Sequence, residues 1–279
     1  MRNDIAVKPI AGALGAEIEG VDLSEPLDNA SFAAVHQALL EHLVIFFRDQ
    51  HLTAEQHLAF GRRFGTLNVH DFVAGMPRHP EIIEVRKEPG ETENFGGGWH
   101  SDVSYLEKPA LGSILYAKDV PDHGGDTLFA NMYLAYETLS DGMKRLLGGL
   151  KAVHSAGRFY GPSSTYFRDA SMQLLYSPEA EHEMEHPVVR THPETGRKGL
   201  YVNSGFTTRF AGMTVEESTP LLKFLFDHAA RPEFTCRFRW QKNSIAFWDN
   251  RSVQHYALND YQGQRRVMQR VTVDGDRPF

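Results

Sequence analysis

The feature that most constrains this fold is the shortness of the chain's apolar runs. Residues 43–47, 82–85, 111–116, 127–130, 234–240, 244–248 and 266–273 are each of strand length, rich in β-branched and aromatic side chains. Turn signals divide them, among them Pro121-Asp122-His123-Gly124-Gly125-Asp126 and Pro193-Glu194-Thr195-Gly196. Further short strands are expected at 188–191 and 199–202, with a strand pair within 5–18. Helical spacing is confined to 28–42, 53–65, 132–150 and 214–230, the second opening on the Thr53/Gln56 capping-box pattern and ending at Gly65. Many short strands with helices on the connections predict a mainly β fold with peripheral helices, a sandwich or jelly roll.

Composition narrows the classes of function. The formal charge of −7 lacks the basic excess of a nucleic-acid partner. No window approaches the apolar length of a membrane span, and Met1-Arg2-Asn3-Asp4 does not open a signal peptide, so a cytoplasmic location is expected. The single cysteine, Cys236, rules out an internal disulfide and a cysteine-rich metal site and reads as a packing residue. The 279 residues read as one domain, with lid loops inserted near 86–98 and 157–186.

The chemistry centres on Trp99-His100-Ser101-Asp102-Val103-Ser104-Tyr105. In extended backbone residues i and i+2 face the same side, so His100 and Asp102 can converge on one point. With His255 far downstream they match the 2-His-1-carboxylate arrangement of non-haem iron oxygenases, which leaves positions open for substrate and oxygen. The bland alternative is a surface His beside a turn-forming Asp.

A second cluster is Gln264-Arg265-Arg266-Val267-Met268-Gln269-Arg270-Val271, where Arg266 and Arg270 share a strand face. Two guanidinium groups so placed suit carboxylate, sulfonate or phosphate; the alternative is an exposed basic strand. The hydroxyl of Thr127 could assist, or the residue could merely favour its strand. His182-Glu183-Met184-Glu185-His186 matches the zinc-protease pattern, but its flank supplies no apolar helix face and Pro187 stops a helix at once. A zinc hydrolase is therefore only a remote alternative.

Taken together, these motifs resemble the Fe(II)- and 2-oxoglutarate-dependent taurine dioxygenase and aryloxyalkanoate dioxygenase family. The resemblance runs from Gly15-Ala16-Glu17-Ile18-Glu19-Gly20-Val21-Asp22-Leu23 through Trp99-His100-Ser101-Asp102-Val103 and Gly124-Gly125-Asp126-Thr127. It continues through His186-Pro187-Val188-Val189-Arg190-Thr191-His192-Pro193, Tyr201-Val202-Asn203, Trp248-Asp249-Asn250-Arg251 with His255, and Arg265-Arg266-Val267-Met268.

The resemblance implies a double-stranded β-helix, or jelly roll, with His100, Asp102 and His255 holding Fe(II). It implies Arg266 and Thr127 on the distal carboxylate of 2-oxoglutarate. His70, Val103 and Arg270 would hold an anionic substrate head group, with Phe206 as an aromatic wall. The implied reaction consumes 2-oxoglutarate and O₂, and hydroxylates a sulfonate, alkyl sulfate or aryloxyalkanoate beside a heteroatom, so that the product fragments. Phe95-Gly96-Gly97-Gly98 replaces the polar residues a taurine enzyme uses near the amine, which points to a substrate larger than taurine. The expected partner is a small organic anion, with no nucleic acid and no membrane, and a homo-oligomer, dimer or tetramer, is implied. The rival from another class is a non-catalytic jelly-roll binding protein.

Overall fold

A computed structural model describes residues 5–168 and 170–279. The chain begins with β1 (Ala6–Pro9), β2 (Ala16–Glu19), helix α1 (Asn29–His42), β3 (Val44–Phe47), α2 (Ala54–Arg62) and β4 (Ile82–Lys87). It continues through β5 (Ala110–Asp119), β6 (Thr127–Asn131), α3 (Met132–Glu137), α4 (Asp141–Leu147), β7 (Lys151–Ser155) and α5 (Gly157–Tyr160). There follow β8 (Glu183–Pro187), β9 (Val189–Thr191), β10 (Lys198–Leu200), β11 (Thr207–Phe210) and α6 (Val215–Ala229). The last strands are β12 (Thr235–Phe238), β13 (Ile245–Asp249), β14 (Val253–Ala257) and β15 (Arg266–Asp274).

Seven strands form the main sheet in the order β1-β2-β3-β13-β5-β15-β4, antiparallel except at β2 and β3. A smaller sheet, β12-β6-β14, packs against it. The core between them is aromatic: Phe46 of β3 stacks on Phe238 of β12 at 3.9 Å and meets Phe129 of β6 edge-on at 5.7 Å. Two antiparallel sheets joined by strands that cross between them make the expected jelly roll. The helices cover its flanks, with Val35 and Leu39 of α1 buried beside Ile45 and Phe247.

Local signals behave as their chemistry requires. Asp28 caps α1 by accepting from the Ser31 amide at 2.7 Å, and Thr53 and Gln56 complete the capping box of α2. Thr214 and Glu217 do the same for α6.

Some expectations need correction. The helix expected over 132–150 is two helices, because the Ser140 hydroxyl accepts from the Met143 amide and starts a new helix there. Gly65 is not the cap of α2, which ends at Arg62 with Arg63 as its C-cap. Within the expected loop 157–186 lie α5, a 3₁₀ turn at Pro178–Glu181 and β8, which pairs with β7.

Candidate active site

Two of the three expected metal ligands are fixed to each other through their backbones. His100 N–H donates to the His255 carbonyl at 3.1 Å, and His255 N–H returns a bond to the His100 carbonyl at 2.9 Å. A reciprocal pair of this kind sets side chains on one face, and the imidazole centroids lie 4.1 Å apart. Asp102, two residues on, brings Oδ1 to 3.7 Å from His100 Nε2 and Oδ2 to 3.9 Å from His255 Nε2. Among the described residues this is the group of His, Cys, Asp and Glu able to hold a metal ion, with all three ligand atoms within 4.8 Å of one another.

The protonation states suit ligation. A carbonyl can only accept, so His100 Nδ1, 2.8 Å from the Gly98 oxygen, carries the hydrogen and leaves Nε2 its lone pair. Burial lowers the pKa of both imidazoles and keeps them neutral, His255 further disfavoured as a cation by its neighbour His100. Burial opposes ionisation of Asp102, but the Arg270 guanidinium, helped by the Ser113 hydrogen bond, outweighs it and holds the carboxyl well below its ordinary range.

Arg270 Nη1 donates to Asp102 Oδ1 at 2.6 Å, so this guanidinium already has an internal anion, while its buried Nε has no hydrogen-bond partner among the described residues. An ionised carboxylate has about four lone-pair sites, enough for Arg270, Ser113 and a metal together.

The segment after Asp102 is held in an unusual conformation. Val103 has φ of 46°, a left-handed value that a β-branched residue adopts only under compulsion, at about 1–3 kcal/mol. Asn250 supplies part of that compulsion: its Oδ1 accepts from the Asp102 amide at 3.1 Å and from Trp248 Nε1 at 3.0 Å. Its Nδ2 donates to Ser113 Oγ at 3.1 Å, which in turn donates to Asp102 Oδ2 at 2.7 Å. Ser104 adds a second anchor, accepting from Asn203 Nδ2 at 3.0 Å and lying 3.1 Å from His154 Nδ1.

Arg266 and Thr127 lie at the other expected end of the site. Arg266 is buried, and its Nε and Nη2 have no partner among the described residues. An unpaired buried guanidinium is costly unless an anion enters to meet it. Thr127 Oγ1 accepts from Trp240 Nε1 at 2.9 Å, which leaves its own hydrogen free to donate, and the Arg266 guanidinium lies 5.8 Å from the centroid of the Trp240 ring. The residues present therefore fit both a divalent metal and a carboxylate-bearing co-substrate.

A cavity of about 820 Å³ opens over the triad, lined by His70, Asp102, Val103, Phe206 and Arg270 among others. His70 Nδ1 accepts from the Phe72 amide at 3.0 Å, so Nε2 bears the hydrogen. Burial, reinforced by Arg270, pushes the His70 pKa down to about 3, so it serves as a neutral donor. Phe159 and Phe206 form one wall with ring centroids 5.5 Å apart, and Tyr105 packs behind Phe206 at 5.0 Å. Gly96 has φ of +78°, and a Cβ there would lie 3.3 Å from His100 Cε1, so glycine keeps this edge open.

Of the sequence-predicted site residues, His70, His100, Asp102, Val103, Phe206 and Arg270 line one cavity and His255 completes the ligand group, while Thr127 and Arg266 are buried residues outside its lining. The His182/His186 pair does not form a site: His186 is in strand β8 with Nε2 2.9 Å from the Leu106 carbonyl, and His182 lies outside the strand. Asn250, Ser113 and Asn203 were not singled out by sequence reasoning as functional. Asn250 and Asn203 do lie in the quoted Trp-Asp-Asn-Arg and Tyr-Val-Asn motifs, while Ser113 carried no signal.

The comparisons agree with this geometry. Residues 6–272 match the model of the taurine catabolism dioxygenase TauD, TfdA family. The chain belongs to that family. It is 38% identical over 275 residues to an alkylsulfatase of Acinetobacter baylyi, covering 98% of this chain and 86% of the relative. It is 36% identical over 278 residues to an alpha-ketoglutarate-dependent sulfate ester dioxygenase of Pseudomonas putida, covering 99% and 91%. A taurine dioxygenase crystal structure from Burkholderia xenovorans superposes with a TM-score of 0.84 at 39% identity, over 98% of this chain and 90% of that one.

This member of the TauD/TfdA family is an Fe(II)- and 2-oxoglutarate-dependent dioxygenase, an oxidoreductase with a His-Asp-His metal site on a jelly roll. No helix among the described residues is long and apolar enough to cross a membrane.

Proposed function

We propose that this dioxygenase oxidises a small organic anion, an alkyl sulfate ester in preference to a sulfonate or aryloxyalkanoate, at the carbon bonded to the heteroatom. The observation that carries the reading is the buried Arg270 guanidinium on the wall of an 820 Å³ cavity, beside the metal ligands and aromatic side chains. The two relatives named for sulfate ester chemistry favour the sulfate, and the cavity is roomier than taurine needs.

Iron, 2-oxoglutarate and O₂ together supply the oxidant, one oxygen atom ending in succinate and the other in the substrate. The protein's own residues do the rest. Arg266 and Thr127 hold the distal carboxylate of 2-oxoglutarate. Arg270 and the neutral His70 Nε2–H, with the Val103 amide, hold the sulfate so that the adjacent carbon faces the triad. Phe206 and Phe159 pack on the alkyl chain and exclude water, and Phe95 to Gly98 of the expected lid loop near 86–98, with Thr165 and Tyr166 of the one near 157–186, border the mouth. Hydroxylation of R–CH₂–OSO₃⁻ gives R–CH(OH)–OSO₃⁻, which collapses to the aldehyde and hydrogen sulfate.

The test is a panel of alkyl sulfates, sulfonates, aryloxyalkanoates and matched neutral alcohols, assayed by succinate release. Alkyl sulfates of medium chain length should give the highest kcat/KM. Arg270→Ala should lower that value by a factor of ~100 or more through lost charge-assisted hydrogen bonds. Preference for a neutral compound would sink the anion assignment, and normal 2-oxoglutarate turnover in His100→Ala would sink the triad.

A further inference from the structure

Lys87, the last residue of β4, stands directly across the antiparallel pair from Arg266, the first residue of β15. Opposed residues put their side chains on one face with Cβ atoms about 5 Å apart. Both are buried, Lys87 to 2% exposure and Arg266 to 4%. Two buried cationic side chains therefore leave facing positions of one strand pair, and neither forms an ion pair among the described residues. The nearby Asp126 is engaged by Arg237 Nε at 2.6 Å. Glu91, which acts on Lys87 from a distance, accepts from the Glu88 and Ser171 amides.

The Lys87 ammonium meets neutral groups. Nζ donates to Asn259 Oδ1 at 2.7 Å and Gln262 Oε1 at 3.1 Å, and lies 4.4 Å from the centroid of the Tyr261 ring. All three residues belong to the connection between β14, which carries His255, and β15, which carries Arg266 and Arg270. Asn94 Nδ2 donates to the Leu258 carbonyl of the same connection at 3.2 Å, and the Gly125 amide donates to Asp260 Oδ1 at 2.7 Å. A strut there does not need a charge, because a neutral side chain could span the gap without the desolvation cost of a buried ammonium. A charge kept beside a second unpaired cation is compensated when an anion enters.

We propose that Lys87 is a second cation of the 2-oxoglutarate end: a positioning residue that holds the 258–264 connection against Arg266 and adds positive potential where the distal carboxylate binds. The inference rests on Arg266 as the anchor of that carboxylate, so the test includes both residues.

Lys87→Met, Lys87→Gln and Arg266→Met are compared with the parent, each loaded with Mn(II) and titrated with 2-oxoglutarate by calorimetry. Quenching of Trp240, beside Arg266, gives a second readout. Both Lys87 variants should weaken 2-oxoglutarate binding by ~10-fold or more while leaving Mn(II) affinity within about twofold. The thermal midpoint of Lys87→Met without 2-oxoglutarate should equal or exceed the parent's, since an unpaired buried charge has gone. In turnover, KM for 2-oxoglutarate should rise while kcat at saturation holds. Unchanged 2-oxoglutarate affinity in both Lys87 variants, with Arg266→Met weakened, overturns the role of Lys87 alone. Weakened affinity with a lowered midpoint and lost Mn(II) binding reduces Lys87 to a strut. Unchanged affinity in Arg266→Met removes the anchor, and this inference falls with it.

Discussion

Asn250 joins the acid ligand to the rest of the molecule: one side-chain amide satisfies the Asp102 amide, the Trp248 indole and Ser113. Asn250→Ala would leave two buried donors without an acceptor, at about 1–3 kcal/mol each. It would also free the strained turn at Val103. We predict a destabilisation of ~2 kcal/mol or more in urea unfolding, and a 10- to 100-fold loss of metal affinity, the usual cost of removing a group that orients a ligand. Unchanged Mn(II) affinity would show that Asp102 keeps its place by other means. The ligands themselves were legible because His-x-Asp is a local pattern in extended backbone. Asn250 was not, because its partners lie up to 148 positions away and only the folded chain brings them together. Arg270 shows the same limit: its place in the strand was readable, but its bond to Asp102 was not, and that bond supplies the counter-anion that sequence reasoning reserved for substrate.

Strands with an apolar face were readable, and strands without one were not. β3, β5, β13 and β15 are buried almost throughout and announced themselves as apolar runs, whereas β8 reads Glu-Met-Glu-His-Pro and is a mostly exposed edge. β11, Thr-Thr-Arg-Phe, is short and polar for the same reason. β14, Val-Gln-His-Tyr-Ala, is not among the expected strands because it holds no apolar run, yet it pairs with β6 along five residues and so aims His255 inward. Close approach between central strands left its own mark at Gly112 of β5. A Cβ there would lie 2.6 Å from the Trp248 carbonyl oxygen and 2.7 Å from Phe247 Cε2. Gly112→Ala should therefore force β5 away from β13 and cost about 1–3 kcal/mol. Because Ser113 is the next residue and bonds Asp102, metal affinity should fall along with the thermal midpoint. A variant that keeps the parent's midpoint would mean that β5 and β13 are not packed as tightly as this register requires.

Over the whole molecule, three histidines far from any carboxylate partner make stability depend on acid. Burial pushes the pKa of His57 down to about 4, that of His154 to about 3 and that of His186 to about 4, against an ordinary value of 6.5. Above 6.5 each is neutral whether the chain is folded or not, and stability is at its full value. As pH falls below 6.5 the unfolded chain takes up protons that the folded chain refuses, so the unfolded state gains. Each histidine then costs about 1.4 kcal/mol per pH unit until its folded pKa is approached. Asp102 and Asp249, whose carboxyls are held below their ordinary range, add to the loss only at lower pH. The urea midpoint should thus be flat between pH 7 and 8 and fall steeply between 6 and 4.5. His57 is a suitable probe: its Nε2 lies 3.3 Å from the Ile114 carbonyl, its ring packs edge-on against Tyr116 at 5.9 Å, and its Nδ1 has no hydrogen-bond partner among the described residues. His57→Leu should reduce the slope between pH 6 and 4.5 by up to about 1.4 kcal/mol per pH unit, the share of one such group beside the other buried histidines, His70 among them. An unchanged slope in that variant would trace the acid sensitivity to the other buried histidines instead.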